Sequence, residues 1–598
     1  MKFLHETQHV EDITDFDKFP IPYRAIATYI KNGERVVLKS GSLARAIYAS
    51  SSIPGGFQPI EIDGIDLVDG GVSDNIPIGV AKDMGADIII AVDVSENFDE
   101  DLEVDSYFVV MGQLVNILMR KNANESIQKL RDKDILLTPM LNGFSGLDAD
   151  KYKSIIQTGV DATRKDYATK LSDLSLSNTE YKEYQKKYRK KILHSTPIID
   201  AIKINNPTYL SDESIIKRLN IKVGDRLDEN KLRKSMLHIY NMMIFDSVEY
   251  DIKKENGKNI LVISIVPSWD NHGEIRFAIG LEDDFSGHSS YSLKVGYTMF
   301  GLNSFGGEWK NDFEIGRKKR VSTELFLPLD TMQRYYLRPS ILFQNSVDLI
   351  PQSSLSEDNK ASLELDNERY GASFAIGAHV TTDYEFEVGM GVYKDTLYLK
   401  SDTSNKMFYD ARPIFVSIKT DDLDNIHFPK VGVMAKLLWT KETPIFGGDY
   451  DYEQICFELE KPLTLWSNNV TLYLKSGLTY KNNLTAIAGS YSLGGLFNLS
   501  GYAPYSLNDD NMILGILKYR YEVKDGGFFG ALNTPLHIGF SAEMGDTWEK
   551  DENLKYGAIK KSATIYLATD TFLGPFYFAY AYSDSDKQTA YLYLGEKF

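Results

Sequence analysis

From His272 to the carboxy terminus, the sequence is a long series of short segments in which apolar and polar residues alternate. In residues 291–298 the tyrosine, leucine and valine side chains fall on one face of an extended chain, and serine, lysine, glycine and threonine fall on the other. The alternation recurs in YGASFAIGAHV, EFEVGMGVY, VGVMAKLLW, NVTLYLKSGLTY and SATIYLATD. So many antiparallel strands with few prolines inside them need a closed sheet, because only closure removes the exposed edges. The pattern therefore predicts an all-β barrel over residues 270–598.

The two faces of these strands differ in polarity, which suits a barrel with lipid outside and water inside. A soluble β-sandwich would alternate in a similar way. Three features favour the membrane barrel. They are the long run of strand patterns with no other type of structure between them, the 37 tyrosines and 30 phenylalanines, and the last strand, TAYLYLGEKF. The final aromatic residue, Phe598, is similar to the signal that outer-membrane assembly machinery reads. We therefore expect a transmembrane barrel that this machinery inserts.

Charge and composition exclude several classes of function. The formal net charge of -18 argues against a nucleic-acid partner, because binding phosphates needs a positive surface. The single cysteine, Cys456, excludes an intrachain disulfide framework and a multi-cysteine zinc site. The nine histidines show no metal-ligand spacing, and the acidic run at 96–105 lacks the order of an EF-hand loop. We expect no metal, no cofactor and, since no run of 18 apolar residues occurs, no transmembrane helix.

Residues 1–175 are predicted to form an α/β region. RAIATYI and RVVLKSG flank an Asn-Gly pair at 32–33, which predicts a hairpin with a tight turn. Ser42 is placed to cap the helix that follows. After the strand IDLVD, a helix that ends at Gly85 leads into the apolar strand ADIIIAVDV, and this order indicates a βαβ unit buried on both faces. Residues 106–122 have the pattern of an apolar helix, for which a core position is favoured over contact with lipid.

Residues 176–195 are interpreted as a linker, and residues 196–267 as a small α+β domain. The linker contains YKEYQKKYRKK, whose charge suits anionic lipid head groups, although a solvated helix explains it more simply. In the small domain the predicted order is β-α-α-β-β, carried by PIIDAIKI, DESIIKRLN, ENKLRKSMLHIYNMM, VEYDIKK and NILVISIVP. About 70 residues make a small core, so neighbouring parts of the chain are expected to help hold it.

The most specific motif is Asp69-Gly70-Gly71, within LVDGGVSDNIPIGVAKDMGADIIIAVDVS. Together with SGSLARAIYASSSIPGGFQP upstream, it resembles the later half of the patatin-like lipase domain. In that family the aspartate of the Asp-Gly-Gly turn is the general base of a Ser-Asp dyad. The resemblance therefore implies this role for Asp69, supported by the turn at Gly70 and Gly71. The chemistry fits, because a serine hydroxyl becomes a good nucleophile only when an adjacent base accepts its proton.

The nucleophile of such a dyad is missing from the 598 residues. The family carries a Gly-x-Ser-x-Gly elbow and a Gly-rich oxyanion loop ahead of the aspartate. No Gly-x-Ser-x-Gly occurs here, and the nearest string, Asn142 to Gly146, lies after Asp69 instead of before it. The start also lacks the apolar region of a signal peptide. The simplest interpretation is a truncated or split coding sequence with Met1 as an internal start. The alternative is a degenerate family member whose α/β part serves as a plug or docking surface.

The rest of the chain completes the resemblance. The small domain resembles a POTRA domain, with Gly224-Asp225 between its helices and FDSVEYDI opening its hairpin. The barrel resembles the outer-membrane assembly and secretion superfamily that follows POTRA domains, and LGGLFNLSGY is similar to its lumen-loop motif. Ser500 stands where that motif commonly carries Arg, which puts a salt bridge of this loop in doubt. The matching motif positions are Gly494, Gly495, Ser500, Gly501 and Tyr502.

These expectations lead to two functions of different classes. Lipase, one POTRA domain and a barrel of about 16 strands, in this order, resemble the patatin-type autotransporters (type Vd secretion) of Gram-negative bacteria. The first function is thus, in the complete form, an outer-membrane-anchored lipid acyl hydrolase of the phospholipase A type, with membrane lipids as substrate. As encoded, the chain is expected to hydrolyse little or nothing.

The second function is a non-enzymatic outer-membrane translocation or assembly component, in which POTRA strands dock client chains. A structural barrel with an inert plug is a third option. The single POTRA domain and Ser500 favour the tethering role. Whether the α/β part is surface-exposed or periplasmic, and whether the chain forms a homo-oligomer, is left open by the sequence.

Overall fold

The structure, a computed structural model, describes most of the chain. The described residues are 7, 10, 13–95, 107–141, 151–188, 197–240, 242, 245–267, 273–287, 289–316, 318–349, 364–380, 384–400, 402–482, 490–523, 535–571 and 573–595. Contacts divide the chain into two compact units. The first holds Met1–Pro197 with Arg226–Glu229, and the second holds Ile198–Asp225 with Asn230–Phe598. Among the helices in these ranges, none has the combined length and apolar character of a membrane span.

The first unit contains two small sheets and a set of helices. One sheet is antiparallel, in the order β2-β1-β4-β3, and the other pairs β5 with β6 in parallel. The strands are β1 (Ala25–Tyr29), β2 (Arg35–Leu38), β3 (Ile60–Ile62), β4 (Ile65–Asp69), β5 (Ile90–Val92) and β6 (Ile135–Leu137). The α-helices are Leu43–Ser50, Gly71–Asp74, Ile78–Asp83, Tyr107–Ile127, Tyr152–Ala162, Ala168–Ser172 and Asn178–Tyr188. A 3-10 turn, Phe16–Lys18, precedes β1, and a π-helical turn spans Thr163–Tyr167.

The predicted hairpin forms between β1 and β2, and the predicted cap is present, but the turn differs from the prediction. Residues 30–34 connect the two strands, so the turn is longer than the two-residue type that Asn-Gly suggests. Gly33 has a positive φ of 75°, whereas Asn32 does not have one. Ser42 caps the helix that follows, its side chain accepting a hydrogen bond from the Arg45 amide.

Among the described residues, the strand β5 is covered on one side only, so the prediction of burial on both faces is wrong there. Ile89 and Ala91 are buried in a core with Ala123 of the helix Tyr107–Ile127. The alternate side chains lie exposed, and they are Ile88, Ile90, Val92 and Val94. A near-continuous apolar run is typical of a strand with layers on both faces. In the described chain, only one of these layers packs on β5.

The small domain that begins the second unit has the predicted β-α-α-β-β order. Its elements are β7 (Ala201–Asn205), the helices Asp212–Ile216 and Glu229–Tyr240, β8 (Phe245–Glu255) and β9 (Lys258–Pro267). The sheet order is β7-β9-β8, with β7 parallel and β8 antiparallel to β9. Leu232, Met236 and Ile239 lie on one face of the longer helix and are fully buried, as are Leu261 and Ile263 of β9. This helical spacing is the one that lays an amphipathic helix on a sheet.

The rest of the second unit is a closed antiparallel barrel. Its strands are β10 (Gly273–Asp283), β11 (Ser289–Phe300), β12 (Glu308–Gly316), β13 (Lys319–Pro328), β14 (Tyr335–Leu349), β15 (Glu364–His379), β16 (Tyr384–Leu399), β17 (Asp402–Ala411), β18 (Ile414–Asp421), β19 (Met434–Glu442), β20 (Tyr452–Leu465), β21 (Asn468–Asn482), β24 (Asn511–Val523), β25 (Leu536–Trp548), β26 (Lys560–Thr571), β27 (Gly574–Ser583) and β28 (Gln588–Gly595).

The barrel has 16 strands in its wall, because β17 and β18 are two halves of one. Both pair with β16, and they are separated only by Arg412 and Pro413. A proline has no N–H to give to the ladder, so it interrupts the strand at this point. The predicted closed barrel of about 16 strands is thus confirmed.

The two faces of the wall differ in polarity. On β16, Tyr384, Phe386, Val388, Met390 and Val392 point outward and are exposed. The intervening residues point into the lumen, where Glu385 and Glu387 accept hydrogen bonds from Arg338 of β14. An apolar outer band around a polar interior is the arrangement that a bilayer requires of a barrel.

The small domain is fixed to one end of the barrel through two turns, residues 301–307 and 329–334. The buried guanidinium of Arg218 donates to the carbonyl oxygens of Ser214, at 2.7 Å, and of Thr331 in the second turn, at 2.6 Å. The Ser211 amide donates to the Ser304 carbonyl of the first turn at 2.9 Å. The domain is therefore hydrogen-bonded to the barrel, beyond its covalent connection.

We expect that Arg218→Met loosens this docking, because it leaves the Thr331 carbonyl without its charged donor. Hydrogen bonds to charged groups contribute about 1.5–3 kcal/mol each, so the distance distribution between spin labels on the domain and on the barrel should broaden. The neighbouring Lys217, whose ion pair with Glu213 is on the surface, provides the control Lys217→Met. Equal distributions for wild type and both variants would contradict the prediction.

Candidate functional site

Asp69 is the last residue of β4, at the end of a central strand of the antiparallel sheet. Its backbone is held on both sides, since the Asp69 amide donates to the Ser52 carbonyl at 2.9 Å and its carbonyl accepts from the Thr28 hydroxyl at 2.8 Å. The side chain leaves the sheet where the strand ends and the helix Gly71–Asp74 begins. This is the position at which α/β folds commonly hold reactive groups.

The glycines that follow Asp69 are required by close packing. A Cβ at position 70 would lie 2.1 Å from the carbonyl oxygen of Ile26. A Cβ at position 71 would lie 2.8 Å from the Asn75 side-chain oxygen and 3.1 Å from the Asp69 carboxylate. Both contacts are shorter than ordinary van der Waals separations, so larger residues would push the turn away from β1 and from the carboxylate. The Gly-Gly pair thereby keeps the backbone close around Asp69.

The Asp69 carboxylate is partly buried and accepts a hydrogen bond from the Gly71 amide at 2.7 Å. Burial raises the pKa of this carboxyl above its usual range, and the hydrogen bond from Gly71 opposes that rise. A desolvated carboxylate of raised pKa is a better proton acceptor than an exposed one. The environment is therefore that of a base held in a fixed orientation.

The described residues contain no hydroxyl that donates to the Asp69 carboxylate. The nearby hydroxyls of Thr28 and Ser73 lie 2.8 Å from each other. They also contact backbone carbonyls, Thr28 that of Asp69 and Ser73 that of Gly70. Within the described residues, the structure thus places Asp69 and its two glycines together and no serine hydroxyl in hydrogen-bonding contact with the base.

A second carboxylate near the turn, Asp74, was not singled out by the sequence. It is buried, and it accepts hydrogen bonds from the Arg35 guanidinium at 2.6 Å and the Ser126 hydroxyl at 2.9 Å. It lines a polar cleft of about 400 Å³ with Glu34, Arg35, Ser73, Asn122, Glu125, Ser126 and Lys129. Because its acceptors are occupied by an ion pair, Asp74 holds the turn in place and is a poor candidate for the base.

The helix Tyr107–Ile127 joins the Asp69 turn to the end of β5. The Asn122 side chain donates to the Val72 carbonyl, and Arg120 pairs with Asp93 at 3.0 Å. Asn75 also donates to the Ser95 hydroxyl at 3.2 Å. The carboxyl ends of β4 and β5 therefore meet beside Asp69.

Several predicted features lie outside the described residues. These are the acidic run at 96–105, the string from Asn142 to Gly146, His194 and the terminal Phe598. Among the residues that the structure does describe, no cluster of three His, Cys, Asp or Glu side chains could hold a metal ion.

The second predicted site is the loop between β21 and β24, of which residues 490–510 are described. It contains the short strands β22 (Tyr491–Leu493) and β23 (Leu507–Asp509), which pair with each other. Gly494 and Gly495 follow β22 with φ angles of 114° and 101°. A Cβ at position 494 would lie 2.0 Å from the Ala503 carbonyl oxygen, so both space and backbone angle call for glycine. These glycines fold the loop back on itself.

Ser500 lies at the tip of this loop and is completely buried. Its hydroxyl and its amide donate to the two carboxylate oxygens of Glu543 on β25, each at 2.7 Å. The hydroxyls of Ser541, Ser562 and Thr564 donate to the same carboxylate at 2.7, 3.2 and 3.3 Å. The five donors that contact Glu543 in the described chain are thus all neutral, and they take the place of the salt bridge that an arginine would make.

The neighbours of Ser500 fasten the loop to β27 and β28. Gly501 packs against Ser583 of β27, where a Cβ would lie 2.5 Å from the serine Cβ. The Tyr502 hydroxyl donates to Asp584, and the Tyr591 hydroxyl of β28 donates to the Ser500 carbonyl at 2.5 Å. The structure therefore brings all five predicted motif residues into one lumen loop. Sequence reasoning missed Glu543, which looks like any other polar residue of an alternating strand.

Comparison with protein families finds three matches along the chain. Residues 8–82 match the patatin-like phospholipase family, residues 197–268 match the POTRA family described as a surface antigen variable number repeat, and residues 303–598 match the Omp85 superfamily domain. The carboxy-terminal barrel is accordingly an outer-membrane barrel of the Omp85 type.

Individual relatives support these assignments in part. An uncharacterised NTE family protein of Mycobacterium bovis is 37% identical over 94 residues, which are 16% of this chain and 26% of that protein. Mouse patatin-like phospholipase domain-containing protein 7 is 42% identical over 84 residues, covering 14% of this chain and 6% of its own length. The chain therefore spans about a quarter or less of these curated relatives.

A solved structure supports the fold of the second unit. The crystal structure of BamA from Haemophilus ducreyi lacking POTRA domains 1-3 aligns with a TM-score of 0.51. The alignment covers 67% of this chain and 84% of that one, at 14% sequence identity. At this identity the similarity concerns the fold alone.

Proposed function

We propose that this chain is the anchor and the base-bearing part of an outer-membrane lipid acyl hydrolase of the phospholipase A type. The observation that carries the proposal is the Asp69 carboxylate, held by the Gly71 amide in a partly buried turn of a patatin-like segment. The Omp85-type barrel and its docked POTRA domain give this segment a membrane attachment.

The proposed chemistry needs a serine that the 598 residues do not supply in a Gly-x-Ser-x-Gly elbow. In the complete enzyme such a serine attacks the ester carbonyl of a phospholipid, and Asp69 accepts its proton. Asp69 then returns the proton to the leaving alcohol. In the second half of the cycle it accepts a proton from the water that attacks the acyl-serine, and it gives that proton to the serine oxygen as the fatty acid leaves. The carboxylate has to keep one orientation through both steps, which the Gly71 hydrogen bond favours.

The tethering role is preferred over a translocation or assembly role for two reasons. The loop that carries Ser500 contacts Glu543 through neutral donors, where the lumen loop of the superfamily commonly carries an arginine. This departure, together with the single POTRA match, favours a barrel that holds an anchored segment over one that passes client chains. The alternative remains testable, because a translocation or assembly component should alter the amount of other outer-membrane proteins when it is depleted, whereas a tether should not.

The experiment compares the 598-residue chain with the same chain extended at its amino end by a patatin-type segment carrying Gly-x-Ser-x-Gly. Each is purified in detergent, treated with a fluorophosphonate that labels active serines, and assayed for fatty-acid release from a fluorogenic phospholipid. We expect labelling and release only for the extended chain. A folded, labelled extended chain that releases no fatty acid would contradict the proposed activity. Release by the unextended chain would contradict the need for a separate serine.

A further inference from the structure

The connection between β18 and β19, residues 422–433, is a long turn with its own internal structure. The Asp424 carboxylate accepts hydrogen bonds from the Lys430 and Val431 amides, at 2.7 and 3.0 Å. The Asn425 side chain accepts from the His427 and Phe428 amides, each at 2.8 Å. Such side-chain contacts fix a turn without help from a helix or sheet. Residues 422–433, hereafter the inner turn, therefore hold a defined shape.

The inner turn lies at the end of the barrel that carries the POTRA domain. Every second connection between antiparallel strands emerges at the same end, and the turns at 301–307 and 329–334, which contact the domain, belong to this series. The opposite end contains the connection that carries Ser500. Among the described connections, the inner turn and the connection of Ser500 thus start from opposite ends of the barrel.

The tip of the inner turn reaches across the lumen. The Phe428 ring is 6% exposed and lies 4.5 Å, between centroids, from the His537 ring of β25 and 5.8 Å from the Tyr577 ring of β27. Counted around the wall, β27 is six strands beyond β19, at which the turn ends. In a barrel of 16 strands, a contact over this separation crosses the interior.

A buried arginine depends on the inner turn for its hydrogen bonds. Arg520 of β24 is 8% exposed and donates to the carbonyl oxygens of Phe428, at 2.8 Å, and of Pro429, at 2.5 Å. Its guanidinium also lies over the Phe428 ring, 5.6 Å from the centroid. If the turn withdrew, a buried cation would lose these acceptors and its ring partner, which is costly for a guanidinium at a buried position. Arg520 therefore favours the inserted position.

Further contacts hold the inner turn to the near wall. Asn469 donates to the Pro429 carbonyl at 3.2 Å, and Lys430 pairs with Glu522 at 2.6 Å. Lys461 donates to the Gly432 carbonyl at 2.8 Å. These bonds come from β20, β21 and β24, so the turn is fastened along its length as well as at its tip.

The inner turn and the loop of Ser500 meet at one aromatic residue, Tyr577. The Phe497 ring, from the loop of Ser500, lies 5.3 Å from the Tyr577 ring and 5.4 Å from the Tyr566 ring. Tyr577 thus touches Phe428 from one end and Phe497 from the other. Moving either connection removes part of the packing that holds the other.

We propose that the inner turn is a plug that closes the barrel lumen from the POTRA-bearing end, and that Tyr577 couples it to the loop carrying Ser500. The plug is built from this chain itself and is latched by Arg520. The barrel is accordingly closed at rest from both sides.

The first test measures ion conductance of the full chain in planar bilayers, with Phe428→Gly as the opening variant. The substitution removes the ring that contacts His537, Tyr577 and Arg520, so we expect a several-fold higher conductance than for wild type. Ile426, which is 71% exposed in the same turn, gives the matched control Ile426→Ala, which should behave like wild type. Heat-modifiable gel mobility confirms that each variant is folded. Equal conductance of folded Phe428→Gly and wild type would overturn the proposal.

A second test holds the plug in place. In a Cys456→Ser background, which removes the one native cysteine, cysteines replace Pro429 and Asn469 and are joined by a short thiol cross-linker. We expect efficient cross-linking, and we expect the cross-link to abolish the extra conductance caused by Phe428→Gly. A folded protein that does not cross-link, or that still conducts when cross-linked, would overturn the proposal.

Discussion

Asp69→Asn in the serine-bearing, extended chain is expected to lower phospholipid hydrolysis by about 10²–10⁴-fold, the range that general acid-base catalysis typically contributes. An asparagine keeps the size of the side chain and can still accept from the Gly71 amide. It cannot accept the serine proton. The loss should therefore appear mainly in kcat, and the variant should fold and insert like wild type.

The matched control is Asp66→Asn on the same strand. Asp66 pairs with Lys31 at 3.1 Å on the surface, and exposed pairs of this kind contribute little to stability. Its substitution should leave hydrolysis nearly unchanged. Equal losses for the two variants would indicate a structural role for Asp69, and full activity of Asp69→Asn would show that another group is the base.

The pH dependence of the extended chain provides a separate prediction for the same residue. Only ionised Asp69 can accept a proton, and burial raises its pKa. The acid side of the kcat profile should therefore lie above the usual range of an aspartate, and it should vanish from the residual activity of Asp69→Asn. Because burial raises the pKa of Asp69 in the folded state, this residue contributes most to the free energy of unfolding when it is protonated. That contribution falls as the pH rises through the pKa of the folded state. An acid limb at the ordinary aspartate pKa would contradict this prediction.

The features that the sequence predicted correctly depend on local patterns. Period-two alternation predicted the barrel strands, and spaced apolar residues such as Leu232, Met236 and Ile239 predicted the helix that packs on the POTRA sheet. Asp69 and its glycines are adjacent in the sequence, so the motif can be recognised from the sequence alone. Close packing against the Ile26 carbonyl then explains why position 70 is a glycine. Such features need no knowledge of distant parts of the chain.

The features that the sequence missed depend on contacts between distant residues. Glu543 is 43 residues from Ser500, and in an alternating strand it differs in no way from other lumen residues. The inner turn resembles an ordinary Asp- and Asn-rich turn, because its partners Arg520 and Tyr577 lie on strands far along the chain. The error on β5 has another origin. Its apolar run predicted two covering layers, and tertiary packing in the described chain supplies one.

The lumen loop of Ser500 should be strongly weakened by Glu543→Leu. The carboxylate is the acceptor for five donors, including both the amide and the hydroxyl of Ser500. Its removal leaves buried donors without an acceptor, at a cost of about 1–3 kcal/mol for each group that finds no substitute. We expect chymotrypsin to cleave the detergent-purified variant at Phe497 or Tyr502, and to leave both sites uncut in wild type.

A graded series distinguishes this anchor from general damage to the barrel. Ser541→Ala removes one hydroxyl donor and leaves the carboxylate, so it should cause little cleavage. Ser500→Ala removes the bond that the hydroxyl donates to Glu543 and the bond that it accepts from the Phe497 amide, and should fall between the two. If Glu543→Leu were as resistant as wild type while still folded, the loop would be held mainly by Tyr502 and Tyr591. The Glu543 carboxylate would then contribute little to holding the loop. No residue of the barrel wall would replace the salt bridge that an arginine at position 500 would make.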